Sequence, residues 1–191
     1  MSRHPISSLT INLFSVVVAS LLLTACHVAP KAENRASFKV ETEAAQKWFA
    51  SNVKNFEKQI DSSGGYIIFP SVGQAGVGFF GGTFGRGAVF NGNGSQIGWA
   101  SLGSGSVGLQ LGAQGYKMAM ILEDEATMRR FKNGKWTGDA SATAVAASEG
   151  AAAAAPFTDG VVVYMGDQAG LMAGVSVALA NIRYRNLDDV E

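Results

Sequence analysis

GVGFFGGTFGRGAVF, residues 76–90, is the stretch whose reading decides the fold. It opens with Gly76-Val-Gly78-Phe-Phe-Gly81, a literal G-x-G-x-x-G behind the apolar run Tyr66-Ile67-Ile68-Phe69. A dinucleotide fingerprint needs a helix opening at the third glycine and an acidic residue about 20 positions on. Here Gly82-Thr83-Phe84-Gly85-Arg86-Gly87 follows, which is poor helix material, and the residues around Trp99 carry no carboxylate. The phosphate loop of NTPases fails as well, because no Gly-Lys-Ser/Thr is present. The pattern recurs at Gly103-Ser-Gly105-Ser-Val-Gly108, again with no helix behind it. Glycine at alternate strand positions removes side chains from one face of a sheet. That permits strong bending or close approach of another backbone or ligand, with Phe79, Phe80, Phe84 and Phe90 expected to pack over the bared surface.

Outward from this block the chain alternates short apolar runs and turn signals. Strands are expected at Tyr66–Phe69, Ala75–Phe80, Arg86–Phe90, Ile97–Ala100, Ser106–Gln114 and Lys117–Leu122. Turns are expected at Phe69-Pro70-Ser71, Gly81-Gly82, Asn91-Gly92-Asn93-Gly94 and Ser104-Gly105. The Asn-Gly pairs are the strongest hairpin signal, since both residues tolerate positive φ. Connections this short give antiparallel pairs. Val161–Met165 and Leu171–Ala180 read as closing strands, and Ile182, Tyr184 and Leu187 as an extension of the last. The Ala151–Ala155 run reads as an ill-defined connection.

Two helices flank these strands. Ala45, Trp48, Phe49, Val53, Phe56 and Ile60 recur at three- and four-residue spacing, the mark of an amphipathic helix. Lys47, Lys54 and Lys58 fall on the opposite side, as a solvated face or a basic strip for acidic headgroups. Glu123-Asp124-Glu125 opens a second, short helix that ends at Asn133-Gly134. Arg129, Arg130, Lys132 and Lys135 form a second basic cluster near it. The expected architecture is α+β: a single domain with a twisted, mostly antiparallel, barrel-like sheet, an N-terminal amphipathic helix and one further short helix.

The chain begins with Arg3 and His4, an apolar core from Ile6 to Leu23, and Leu23-Thr24-Ala25-Cys26. A basic lead, an apolar stretch and small residues at a cleavage point make a secretory signal. Leu-Thr-Ala before cysteine resembles the bacterial lipobox, which implies acylation of Cys26 (palmitate among the chains). The expected organisation is a lipoprotein signal peptide at 1–25, a polar tether at 26–43 and a domain at 44–191. His27 rather than aspartate after the cysteine points, by analogy with bacterial lipoproteins, to an outer membrane facing the periplasm.

Cys26 is the only cysteine, so no disulfide forms within the chain. Beyond the leader His27 is the only histidine, so Ser-His-Asp, Cys-His and His- or Cys-rich metal sites are excluded from the domain. Asp124 with Glu125, or Asp159 with Asp167, remain as paired carboxylates, but acids at a helix start and in turns have structural reasons. The expectation is a non-enzyme without cofactor or metal. Net charge is +0, so no global field points to nucleic acid. Most of the 24 glycines lie between Asp61 and Tyr116, where the only charges are Asp61 and Arg86.

Several of these stretches together resemble the SYLF domain. They are Gly65-Tyr-Ile-Ile-Phe-Pro70 with Ala75-Gly76-Val-Gly78, Gly81-Gly82-Thr-Phe-Gly85-Arg-Gly87, and Gly98-Trp99 leading into Gly105-Ser-Val-Gly-Leu-Gln-Leu-Gly-Ala-Gln114. Gly138-Asp-Ala-Ser141, Tyr164 and Gly170-Leu-Met-Ala-Gly-Val-Ser176 add to the match. The family usually has Ser-Ala-Pro after the tryptophan, where this chain has Ala100-Ser101-Leu102. The resemblance implies lipid binding, in eukaryotic members partly through a basic N-terminal amphipathic helix, and in some members actin as partner. Phosphoinositide specificity does not carry over to a bacterial envelope; affinity for anionic phospholipid does. The resemblance puts Lys47, Lys54 and Lys58 in the place of that helix; Arg86 and the cluster Arg129, Arg130, Lys132 and Lys135 join them as candidates from the charge pattern. The alternative is a membrane-tethered protein-binding or structural module, which exposure of Phe79, Phe80 or Trp99 would favour.

Overall fold

The structure, a computed structural model, describes residues 28–134, 141–146, 155–167, 176–178 and 182–189. At 74–81, 105–114, 141–146, 167 and 176–178 it describes the backbone alone. The expected signal peptide, Cys26, Lys135, most of the Ala151–Ala155 run and the side chains of Phe79 and Phe80 lie outside the described residues.

A 3-10 turn at Ala32–Asn34 leads into α1 (Arg35–Asn52), followed by α2 (Phe56–Asp61). The spacing expected to give one helix is thus split. Val53 is extended and Asn55 is left-handed at φ 61°, a conformation asparagine tolerates better than most residues. The split keeps the apolar face in use: Phe49 and Phe56 stack with centroids 5.6 Å apart, and Val53, Phe56 and Ile60 are all buried. The helix also starts earlier than expected, within the segment read as a tether, and Ala29 ahead of it is buried.

The six short strands expected between Tyr66 and Leu122 are two strands of 27 residues each, β1 (Gly65–Asn91) and β2 (Gln96–Leu122). They pair antiparallel along their length around the Asn91–Ser95 turn. Ser95 N–H donates to Asn91 Oδ1 at 2.9 Å, and Gly94 takes φ 81°, as the Asn-Gly signal requires. Gly81-Gly82 and Ser104-Gly105 are not turns. Gly81 faces Ser106 and Gly82 faces Gly105 across the same ladder, so each apparent break is the other's pairing partner. Pro70-Ser71 falls within a register shift between Phe69 and Val72. A bulge on an edge strand is where a residue without N–H is tolerated, and β1 is the sheet edge.

After β2 come α3 (Glu125–Lys132), β3 (Ser141–Ala146), β4 (Val161–Asp167), β5 (Ser176–Ala178), β6 (Ile182–Asn186) and a 3-10 turn at Leu187–Asp189. The sheet order is β1-β2-β4-β3-β5, with β6 pairing β2 as well. All pairs are antiparallel except β3 with β4. β4 takes residues 116–122 of β2, whereas β6 takes 98–102. The two halves of the long hairpin therefore carry different neighbours.

The hairpin folds over on itself. A Cβ on Gly87 would sit 3.0 Å from Ile67 Cγ2 and from the Phe69 ring, near the far end of the same strand. Between the halves lies one core, with Ile67, Phe69, Met118, Met120 and Val163 on one side and Val89, Ala100, Leu102 and Ile182 on the other. Phe131 and Met128 of α3 join it. The alternate residues Tyr66, Ile68, Ala119, Ile121, Val162 and Tyr164 face outward and are covered by α1 and α2, as a period of two dictates. No ladder among the described residues joins β1 to β5, so the sheet is curled but not closed. The fold is α+β, as expected.

Candidate functional site

Lys47 lies on α1, Lys54 in the break and Lys58 on α2, and all three are exposed. They do not share one continuous helix. No ion pair engages them among the described residues. Glu43 and Glu57 stand beside Lys47 around a shallow hollow of about 260 Å3, so the strip is mixed rather than purely basic.

The second cluster is engaged locally. Arg129 pairs with Glu125 at 3.6 Å. Arg130 donates to Thr127 Oγ1 and to the Asp159 carbonyl, each at 3.1 Å. Lys132 sits 5.6 Å from the centroid of the Tyr184 ring, a cation–π distance. α3 packs into the core between the hairpin halves, whereas α1 and α2 cover the outward face of β1. The two basic groups thus belong to helices on opposite faces of residues 65–69. They do not form one patch.

The carboxylates read as possible pairs have other uses. Asp124 caps α3 by accepting from Thr127 N–H at 2.7 Å. That backbone hydrogen bond first, and the Thr127 side chain second, hold its carboxyl below the usual range. Glu125 is the partner of Arg129. Asp159 occupies a turn at φ 52°, and the Asp167 side chain lies outside the description. No group of three potential metal ligands occurs among the described residues.

Arg86 occupies a different place. It is exposed on the wall of a half-open groove of about 670 Å3 between the start of α1 and the bent middle of the hairpin. Lys31, Phe38 and Glu41 line one side, and Phe84, Arg86 and Leu102 the other. Phe84 packs over a glycine as expected, since a Cβ on Gly73 would lie 2.6 Å from its ring, yet it remains 62% exposed. Trp99 is the reverse: it is 5% exposed, edge-on to Phe38 at 5.6 Å, with no partner for its Nε1 among the described residues. The tryptophan therefore offers no docking patch.

The missed residue is Phe84. Its signal was present, since residues 84 and 86 share a face of a strand and Phe84 pairs with Gly103, a position without a side chain. What no local pattern shows is that this face opens on solvent rather than on a neighbour.

Residues 103–189 match the family model Ysc84, described as Las17-binding protein actin regulator. The match is consistent with a SYLF-domain family member. It begins inside β2 and runs to the last 3-10 turn, leaving the helices α1 and α2 and all of β1 outside it. Lipid binding is a property of the SYLF family. No curated protein matches the chain.

Proposed function

We propose that this SYLF-family chain is a lipid-anchored cell-envelope protein whose domain binds anionic phospholipid without catalysing a reaction. The reading rests on one observation above the others: Lys47, Lys54 and Lys58 are all exposed, on the N-terminal helices and the break between them, with no ion pair among the described residues. Near an anionic surface each such cation contributes about 1 kcal/mol. Three give about 3 kcal/mol, a hundredfold preference for acidic over neutral membranes, reduced by salt. The α3 cations contribute less, because Glu125, the Asp159 carbonyl and Tyr184 already hold them.

Anchoring at Cys26 in an outer membrane facing the periplasm completes the proposal and follows from the leader alone. Mass spectrometry of the purified chain tests it: an acylated N-terminal Cys26 is expected, and an unmodified or internal cysteine sinks the anchor. Vesicle co-sedimentation tests the domain. Binding independent of acidic lipid and of salt rules out the electrostatic mechanism.

A second reading is a membrane-tethered protein-binding or structural module. The family description favours it, since it names a protein, Las17, as what members bind. In-cell crosslinking that captures one stoichiometric protein partner would establish it.

A further inference from the structure

We propose that the groove at Phe84 is a binding site for one molecule of anionic phospholipid, separate from the lysine face that meets the membrane surface. The proposal rests on the lipid-binding reading above and gives it a second, stoichiometric site.

Phe84 and Val40 are the only large apolar side chains exposed among the described residues. Phe84 is the one in a concavity. An apolar side chain left in solvent inside a concave site, with a few polar groups converging on it, is the common form of a small-ligand pocket. The backbone is shaped around the ring. A Cβ on Gly73 would lie 2.6 Å from Phe84 Cζ, so the ring rests where any other residue would carry a side chain. Phe84 and Arg86 project from the same face of β1, which places an apolar surface and a guanidinium side by side. Lys31 adds a second cation from the opposite wall, and Glu41 a single anion. The net basic rim over an apolar floor matches an amphiphile with an anionic head: its phosphate towards Arg86 and Lys31, one acyl chain along Phe84, Phe38 and Leu102. A hydrophilic anion would leave the floor unused.

The position of the groove in the chain agrees with that occupant. Pro30 and Lys31 form part of its wall and stand four and five residues after Cys26. Four extended residues span at most about 14 Å. With Cys26 anchored, the groove mouth is held within that distance of the leaflet that would supply the lipid.

The test uses the full chain, incorporated into vesicles of mixed phosphatidylglycerol and phosphatidylcholine, extracted, and measured by native mass spectrometry for retained lipid. One retained phosphatidylglycerol per chain is expected. Ser71→Trp fills the groove from an exposed position, and Phe84→Glu removes the apolar floor. Each is expected to lower retention about tenfold, the loss of one aromatic contact, with an unchanged melting temperature showing that the fold survives. Lys47→Glu/Lys54→Glu/Lys58→Glu, held in the vesicle by its Cys26 anchor, is expected to keep the retained lipid. Retention by Ser71→Trp equal to the parent chain overturns the groove site and leaves the surface reading standing. So does co-sedimentation of the parent chain with no retained lipid. Retained phosphatidylcholine in equal amount, or a protein rather than a lipid crosslinked at position 84, also overturns it.

Discussion

Tyr164 donates its hydroxyl hydrogen to Gln59 Oε1 at 2.7 Å and accepts from Ala155 N–H at 3.0 Å. One buried phenol thereby ties α2 to β4 and to the chain that enters β4. Its ring meets Phe56 edge-on at 6.0 Å, so the same residue serves the helix both as apolar wall and as polar latch. Burial is the main reason its hydroxyl is held above the usual tyrosine range.

Tyr164→Phe keeps the ring and removes the latch. Gln59 and the Ala155 amide lose a partner, and a part-buried polar group left unsatisfied costs about 1–3 kcal/mol. Urea denaturation is expected to show a lower midpoint with an unchanged slope. Because burial raises the Tyr164 pKa, the neutral form is favoured in the folded state. Its stabilisation is complete below pH 10 and is lost as pH rises through the higher folded value. Tyr164→Phe should therefore weaken the alkaline loss of stability above pH 10.

The folded-over hairpin sets apart two glycines that look alike in sequence. At Gly87 a Cβ would meet Ile67 and Phe69 at 3.0 Å, whereas at Gly103 nothing lies within 4 Å among the described residues. Gly87→Val overpacks the joint between the halves and is expected to cost about 1–3 kcal/mol. Gly103→Ala, at a position with φ open to any residue, is expected to be neutral or to stabilise by about 0.4–1 kcal/mol through the unfolded chain. Thermal melts of the two variants side by side check the bend. Equal effects would mean that the halves do not meet at Gly87.

Asp124 makes the α3 cap sensitive to acid. Its folded pKa is depressed, first by the Thr127 amide. The sign follows: the contribution is present above pH 3.8, the ordinary value, and is lost as pH falls through the lower folded value. Asp124→Asn should flatten the acid limb of the stability curve below pH 4 and leave the neutral region less changed. An acid limb identical in the two chains would show that the cap does not titrate with folding.

Charge reversal distinguishes the two basic groups. In the chain without acylation at Cys26, Lys47→Glu/Lys54→Glu/Lys58→Glu should lower binding to acidic vesicles by at least about a hundredfold at low salt, with little effect on melting, because these side chains are exposed and hold no ion pair among the described residues. Arg130→Glu should act mainly on stability, since it loses its bonds to Thr127 and Asp159. Equal loss of vesicle binding in both would place the membrane contact across the two faces.

The sequence on its own determined the features whose causes are local. The apolar spacing from Ala45 to Ile60 placed helix in this segment, though as one element rather than the two of the structure, because residues three and four apart share a face in any helix. Asn91-Gly92-Asn93-Gly94 placed the hairpin turn through its tolerance of positive φ. Asp124 and Gly134 bounded α3 through a cap and a left-handed stop, at φ 63° for Gly134. The residues after Gly81, poor helix material, exclude a nucleotide loop.

Only the tertiary structure decided what depends on residues distant in sequence. Gly81-Gly82 is strand rather than turn because residues 105 and 106 lie opposite. The α3 cations are held by Asp159 and Tyr184, far along the chain. Trp99 is inside because Phe38 and the segment at Val28 cover it, and Phe84 is outside because nothing among the described residues covers its free face. An aromatic residue's pattern states that it can be buried. Whether it is depends on which surface arrives to bury it, and for Phe84 the fold leaves that place open.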